Sequence, residues 1–195
     1  SDRLIKLITS EELAPKSYFS TSVDAGTNET YNTVHGMPPQ QGKIYERVKR
    51  NLEKITNARK RSSFHLDLSA TYLINSLNGS IYEVKKFIND FKNIGIDAVR
   101  FTFPQNPRGY NQKSDNDPNI PNRNEKNTLK GELKELIEKE NSQNFKSLFV
   151  DNDESLGIDE KKRTLPCFSR WVFPCIGYDG YLSHCSESAA PHFRD

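Results

Sequence analysis

The order of apolar patterns along this chain predicts an α/β protein built around a parallel sheet. Three observations lead to that expectation. Helical spacing of apolar residues alternates with short β-branched and aromatic runs, in the order α-β-α-β-α-β as far as Phe103. The helical stretches are long enough to serve as right-handed crossovers between parallel strands. One of them is also bracketed by cap residues, Ser80 before it and Gly95 after it.

Taken in order, Leu4, Ile5, Leu7, Ile8 and Leu13 recur at roughly helical spacing, and Pro15 ends that first helix. Ser17 to Val23 (SYFSTSV) is β-branched and aromatic and predicts a strand. Ile44, Val48, Leu52 and Ile55 line one face of the next helix while Lys, Arg and Glu fill the other. Phe64 to Ile74 (FHLDLSATYLI) partly alternates and predicts a second strand, closed by the turn formers Asn75, Asn78 and Gly79. Ile81, Val84, Phe87, Ile88 and Phe91 give the following amphipathic helix, and Ile96 to Phe103 (IDAVRFTF) a third strand.

Residues 104–126 interrupt the pattern. The stretch is rich in Pro, Asn, Asp and Lys, with little apolar content beyond Tyr110 and Ile120, and it reads as a long mobile loop. Leu129, Leu133, Leu136 and Ile137 then predict a short helix weakened by Gly131, and Phe145 to Val150 a fourth strand. This divides the chain into an α/β region over 1–150, a polar linker over 151–165 and a segment over 166–195 rich in aromatics and cysteine. In the last segment WVFPCI and YLSHC flank Gly177-Tyr-Asp-Gly180, which reads as a β-hairpin with an Asp-Gly turn.

Composition narrows the functional classes. Lys and Arg number 28 against 26 Asp and Glu, a formal charge of +2, so no basic field argues for nucleic acid and no acidic tail for an interaction segment. No apolar run is long enough for a membrane span, and the first residues lack the apolar core of a signal peptide, which makes the cytoplasm the expected compartment. All three cysteines fall between positions 167 and 185, and an odd clustered set argues for metal rather than for a disulfide-stapled fold.

The candidate chemistry lies in two places. Cys167 and Cys185 are separated by 17 intervening residues, with Asp179-Gly180 turning the chain between them, so two thiolates can approach each other as ligands of zinc or an iron–sulfur cluster. Buried apolar thiols at Cys167 and Cys175 are the competing reading, and His184 could add a nitrogen. Ser22 and Asp24 end the first strand, alternate with Val23 and so point to one side of the sheet, at the carboxyl ends where parallel α/β folds bind ligands. A structural alternative has Asp24 bonding to the amides of Ala25, Gly26 and Thr27. Arg100, inside the third strand, needs an anion or a carboxylate partner, with a structural ion pair as the expected use. Asp67 and Thr71 either line a pocket or face outward.

These residues together resemble a known family. Ser22-Val-Asp24-Ala-Gly, Tyr31-Asn-Thr-Val-His35-Gly36 and a helix ending Val48-Lys-Arg-Asn51-Leu52 resemble the fourth strand and following helix of radical S-adenosylmethionine (SAM) enzymes. Cys167, twelve residues, Gly180, four residues and Cys185 is similar to the opening of their SPASM or twitch extension. The resemblance covers nearly the whole chain apart from 104–164. It implies a partial (β/α) barrel made of later βα units, followed by a small Cys-containing hairpin extension that begins an auxiliary cluster domain. It also implies that Ser22 contacts SAM, that Asp24 orders the neighbouring loop or the ribose side, and that Asn75 faces the same pocket. Cys167 and Cys185 become two ligands of an auxiliary 4Fe-4S cluster, with Cys175 a spare or buried thiol.

Three departures qualify what the chain itself does. It contains no C-x3-C-x2-C, the motif that supplies the SAM-binding cluster, and no glycine-rich second-strand motif, while His35 stands where many relatives have Arg. The resemblance therefore implies an internal piece of a longer enzyme, with the three-cysteine motif about 100 residues upstream at roughly 30 residues per βα unit. The complete protein would be an oxidoreductase or modifying enzyme generating a 5′-deoxyadenosyl radical. It would draw electrons from an external donor such as flavodoxin or ferredoxin and act on an unidentified peptide or small molecule. A non-catalytic zinc or iron–sulfur interaction module is the alternative. A hydrolase using Asp24 and Asp67 as acid and base ranks below both.

Overall fold

A computed structural model of the protein describes residues 2–10, 16–38, 41–62, 65–104, 119, 121, 123–150, 175–176 and 182–183. The chain divides into two compact units, Ser1–Asn106 with Asn111–Ser155, and Pro107–Tyr110 with Leu156–Asp195. The first unit holds α1 (Asp2–Thr9), β1 (Lys16–Ser22), α2 (Asn28–Val34), α3 (Ile44–Arg59), β2 (His65–Leu73), α4 (Ile81–Ile94), β3 (Ala98–Thr102), α5 (Arg123–Lys139) and β4 (Lys146–Val150). The second holds β5 (Cys175–Ile176) and β6 (Leu182–Ser183), which pair antiparallel with Cys175 opposite Ser183.

The four strands of the first unit are all parallel and lie in chain order, β1-β2-β3-β4. Each neighbouring pair is joined through a helix, and α3 lies against α4 and α4 against α5, so the helices follow the strand order along one side of the sheet. Consecutive right-handed crossovers place their helices on a single face. Among the described residues β1 and β4 are the two outer strands, and the architecture is a mixed α/β fold with a four-stranded parallel sheet.

Side-chain alternation shows that, among the described residues, only one face is covered. In β2 Leu66, Leu68, Ala70 and Tyr72 are buried, while His65, Asp67 and Leu73 are exposed and Ser69 and Thr71 intermediate. A parallel sheet covered on both faces would carry a continuous apolar run instead. Between α4 and strands β2 and β3, on the helix side of the sheet, lies an aromatic cluster. Tyr72 meets Phe87 edge-on at 4.9 Å, Phe87 stacks on Phe91 at 4.2 Å, and Phe101 closes on Phe87 at 5.6 Å. Each of these rings is fully buried, and burying such a side chain contributes about 2–3 kcal/mol.

The caps of α4 stand where the sequence places them. Ser80 Oγ accepts from Glu83 N at 3.3 Å, and Gly95 adopts φ +86° so that Ile96 N can donate to Phe91 O at 3.1 Å. At the amino ends of the strands, Arg59 bridges Leu66 O at 3.0 Å, Gly95 O at 2.9 Å and the Asp97 carboxylate, which also accepts from Leu68 N at 2.7 Å. This one guanidinium ties α3 to both β2 and the turn before β3.

Two expectations need correction. The helix over 129–137 is not short: α5 has 17 residues and starts at Arg123, inside the stretch read as a loop. Its Gly131 is exposed, and the roughly 1 kcal/mol that Gly forfeits in a helix is outweighed by the full burial of Leu133 and Ile137. Of the remaining stretch, Pro104 is half-buried, Asn119 is in a turn and Pro121 is buried; the rest lies outside the described residues, as do the 151–165 linker and the Asp179-Gly180 turn. The second correction is α2, which has no buried residue and therefore no apolar periodicity to announce it. It forms because Thr27 Oγ1 caps it, accepting from Thr30 N at 3.2 Å. Its Asn28 Oδ1 in turn accepts from Glu46 N at 3.3 Å, in the first turn of α3, whose own N-cap Lys43 makes no side-chain cap bond.

Candidate functional site

The carboxyl ends of β1 and β2 converge on a compact set of polar groups. Ser22, the last residue of β1, stands opposite Thr71 on the face that no described helix covers, with their hydroxyl oxygens 2.8 Å apart. Val23 N then makes the last rung, donating to Thr71 O at 3.1 Å. At Asp24 the backbone turns into the left-handed region with φ +57°, which Asp tolerates better than most side chains. The alternation that would set Asp24 beside Ser22 stops there. Its carboxylate reaches sideways instead, and Oδ1 accepts from Leu73 N at 2.6 Å, taking the place of a further rung.

The Asp24 carboxyl is held above the usual carboxylate range by burial, against the opposing pull of the Leu73 amide and the nearby His35. Its second oxygen has no hydrogen-bond partner among the described residues. His35 folds back on the same strand end, its Nε2 3.3 Å from Val23 O and its ring 4.2 Å from that of Tyr31. The expected bonds from Asp24 to its own loop are absent. The Gly26 amide goes to Glu83 Oε2 at 2.7 Å, and the Thr27 hydroxyl donates to Glu83 Oε1 at 2.9 Å. A Cβ on Gly26 would sit 2.3 Å from Glu83 O, so this close approach of loop and helix requires glycine.

Asn75 follows β2 at the same end, but its side chain is partly engaged: Oδ1 accepts from Leu77 N at 2.8 Å in an Asx turn. The residue that joins the two strand ends is Asn78, fully buried. Its Nδ2 donates to Asp24 O at 2.8 Å and to Leu73 O at 2.9 Å, while its Oδ1 accepts from Asn75 N at 2.7 Å. The Tyr72 hydroxyl donates to Asn78 O at 2.8 Å; burial, with Glu83 and Asp24 nearby, pushes this phenol up, so it stays a donor. Asn78 and Glu83 were not among the sequence candidates. Asn78 reads as an ordinary turn residue, and Glu83 only completes the Ser80-x-x-Glu83 spacing of a capping box, yet its carboxylate leaves the helix for the β1–α2 loop.

Below these ends, register lines up the uncovered face. Ser20, Ser69 and Ala98 form one row and Ser22, Thr71, Arg100 and Leu148 the next. Arg100 is exposed, and the ion pair expected for it is not present among the described residues. Asp67 is exposed toward the amino ends, with its Oδ1 2.9 Å from His65 Nε2, well apart from Asp24 and unsuited to act with it as an acid–base pair. Cys167, Cys185 and His184 lie outside the described residues. Among those described, no group of three His, Cys, Asp or Glu residues is placed to hold a metal ion, and no helix is long and apolar enough to cross a membrane. Compared with known proteins, the chain matches no family model, no curated protein and no solved structure.

Proposed function

We propose that this chain is part of a radical SAM enzyme with an auxiliary iron–sulfur extension, and that SAM and substrate meet on the uncovered face of the sheet. The observation that supports this reading best is the Ser22–Thr71 hydroxyl pair, at the carboxyl ends of adjacent parallel strands wound in chain order with the described helices on one side. SAM presents ribose hydroxyls and an ammonium group, which need hydroxyl and carboxylate partners. The Ser22 hydroxyl, the unengaged oxygen of Asp24 and the amide nitrogen of Asn75 form such a set around one strand end, so the residues present fit the group. When bound and reduced, SAM supplies a hydrogen-abstracting radical. This chain's own residues orient it, with Asn78 and Glu83 holding the loop on which Asp24 sits.

On this reading the SAM-cluster thiolates come from sequence outside this chain, and Cys167 and Cys185 serve the auxiliary cluster, as the resemblance implies. The test is made on the complete protein. SAM should bind, and Ser22→Ala should weaken binding about fivefold, the worth of one neutral hydrogen bond. Iron and sulfide counts should fall in Cys167→Ala and Cys185→Ala and stay level in Cys175→Ala. Bound zinc without labile sulfide, together with no SAM binding, would overturn the reading in favour of a non-catalytic metal-binding module.

A further inference from the structure

We infer that Arg100 is the recognition point for a carboxylate on the substrate, with the Thr71 hydroxyl in the neighbouring strand as a second donor. The inference rests on reading the uncovered face as the reaction face. Arg100 sits in the middle of β3, between Thr71 of β2 and Leu148 of β4. A guanidinium there has two ways to satisfy its fork of donors, a protein carboxylate or a ligand. The contrast with Arg59 is direct: that side chain spends its donors on Asp97 and two carbonyls, while Arg100 is exposed without an ion pair among the described residues.

The acids nearest in register are engaged elsewhere. Asp67 lies about 13 Å toward the amino ends at about 3.3 Å per residue, and it is bound to His65. Asp24 is two strands away, roughly 10 Å at the usual interstrand spacing, and it is bound to the Leu73 amide. Among the described residues no acid compensates Arg100, and a guanidinium left so on a sheet face favours an anion.

A carboxylate suits this position better than a phosphate. Phosphate sites draw on free backbone amides at loops or helix starts, whereas the amides of this row are used in the parallel ladder. What remains is a planar fork, which matches a carboxylate through two parallel N–H···O bonds, and a hydroxyl pair. Ser22 and Thr71 use one proton between them at 2.8 Å; when Ser22 is the donor, the Thr71 O–H has among the described residues only the long 3.5 Å contact to Thr21 O, which a ligand carboxylate can replace. On the other side Leu148, 49% exposed, offers an apolar contact for the rest of the molecule.

The test is a titration of the complete protein with acetate, inorganic phosphate and SAM in turn, read from the Arg100 Nε–H and Thr71 amide NMR signals. Acetate should shift both saturably and bind more tightly than phosphate. Arg100→Gln should weaken acetate at least tenfold and Arg100→Lys less, with SAM affinity unchanged in both. Thr71→Val should weaken acetate about fivefold, and it carries the test if the Arg100 variants fail to fold. Equal acetate affinity in wild type and variants would overturn the inference, as would tighter binding of phosphate. Loss of SAM affinity in step with acetate would overturn it too, by assigning the guanidinium to SAM. If acetate binds as expected while SAM does not bind at all, the carboxylate site stands and the SAM reading falls.

Discussion

The two faces of the same four strands differ in what they are made of and in what their side chains touch. On the helix side Tyr72 and Phe101 close against Phe87 and Phe91, all fully buried with ring centroids 4.2–5.6 Å apart. On the other side the same strands present Ser20, Ser22, Ser69, Thr71 and Arg100. Apolar burial favours folding roughly in proportion to the area removed from water, so the first face carries the stability. The second is left free to carry polar chemistry. Substitutions should divide along that line.

The largest effect is expected from Phe87→Ala, which leaves a cavity among three aromatic neighbours and should cost about 3–5 kcal/mol in urea unfolding. Its counterpart across the sheet, Ser69→Ala, should change stability by no more than about 0.5 kcal/mol. Comparable losses from the two would break the distinction between the faces.

Next comes the lock at the amino ends. Asp97→Ala strands the Leu68 amide and removes the anion from Arg59, with an expected loss of about 2 kcal/mol by thermal or urea unfolding. A variant as stable as the wild type would mean that α3 is held by its apolar contacts alone.

Two carboxylates should then respond to acid in opposite directions. Burial raises the Asp90 pKa, but hydrogen bonds from Lys86 and Lys49 and from the Tyr45 hydroxyl outweigh that and hold the carboxyl below its ordinary value. A lowered folded pKa gives stability that is present above the unfolded value near 3.9 and is lost as pH falls through the folded one. Asp90→Asn should therefore cost about 1 kcal/mol at neutral pH and progressively less in acid, followed by denaturant midpoints across the acid range.

Asp24 has the opposite sign. Its folded pKa is raised by burial, so the folded state binds the proton more readily than the unfolded chain, and stability declines as pH rises through the folded pKa. Asp24→Asn keeps the acceptor for the Leu73 amide and suits the left-handed backbone. It should stabilise the fold at neutral pH by about 0.5 kcal/mol while weakening SAM binding. A fold that loses stability on this change would show that the carboxylate is there for structure.

How much was legible in the sequence can be traced to particular residues. Ile81, Val84, Phe87, Ile88 and Phe91, with Ser80 and Gly95 as caps, define α4 to within a residue because apolar period and cap chemistry agree. The place of Ser22 at the end of β1 was legible from the β-branched and aromatic run before it. Asn78 and Glu83 as partners of its neighbours were not, because those neighbours, Asp24 and Gly26, are more than fifty residues away in the chain. The α2 helix was missed for a related reason, since it buries nothing and depends on the Thr27 cap.

The sequence by itself determined the alternation of β1 to β4 with α3, α4 and α5, since local periodicity and caps act between residues a few positions apart. Only the tertiary structure decided that Asp24 leaves the strand alternation to bond Leu73, that Glu83 serves a loop rather than its own helix, and that Arg100 stands in register with Thr71 without an acid beside it among the described residues. Those outcomes depend on which strands lie side by side and on which buried amides still need a partner once they do, and neither is written within any one segment of chain.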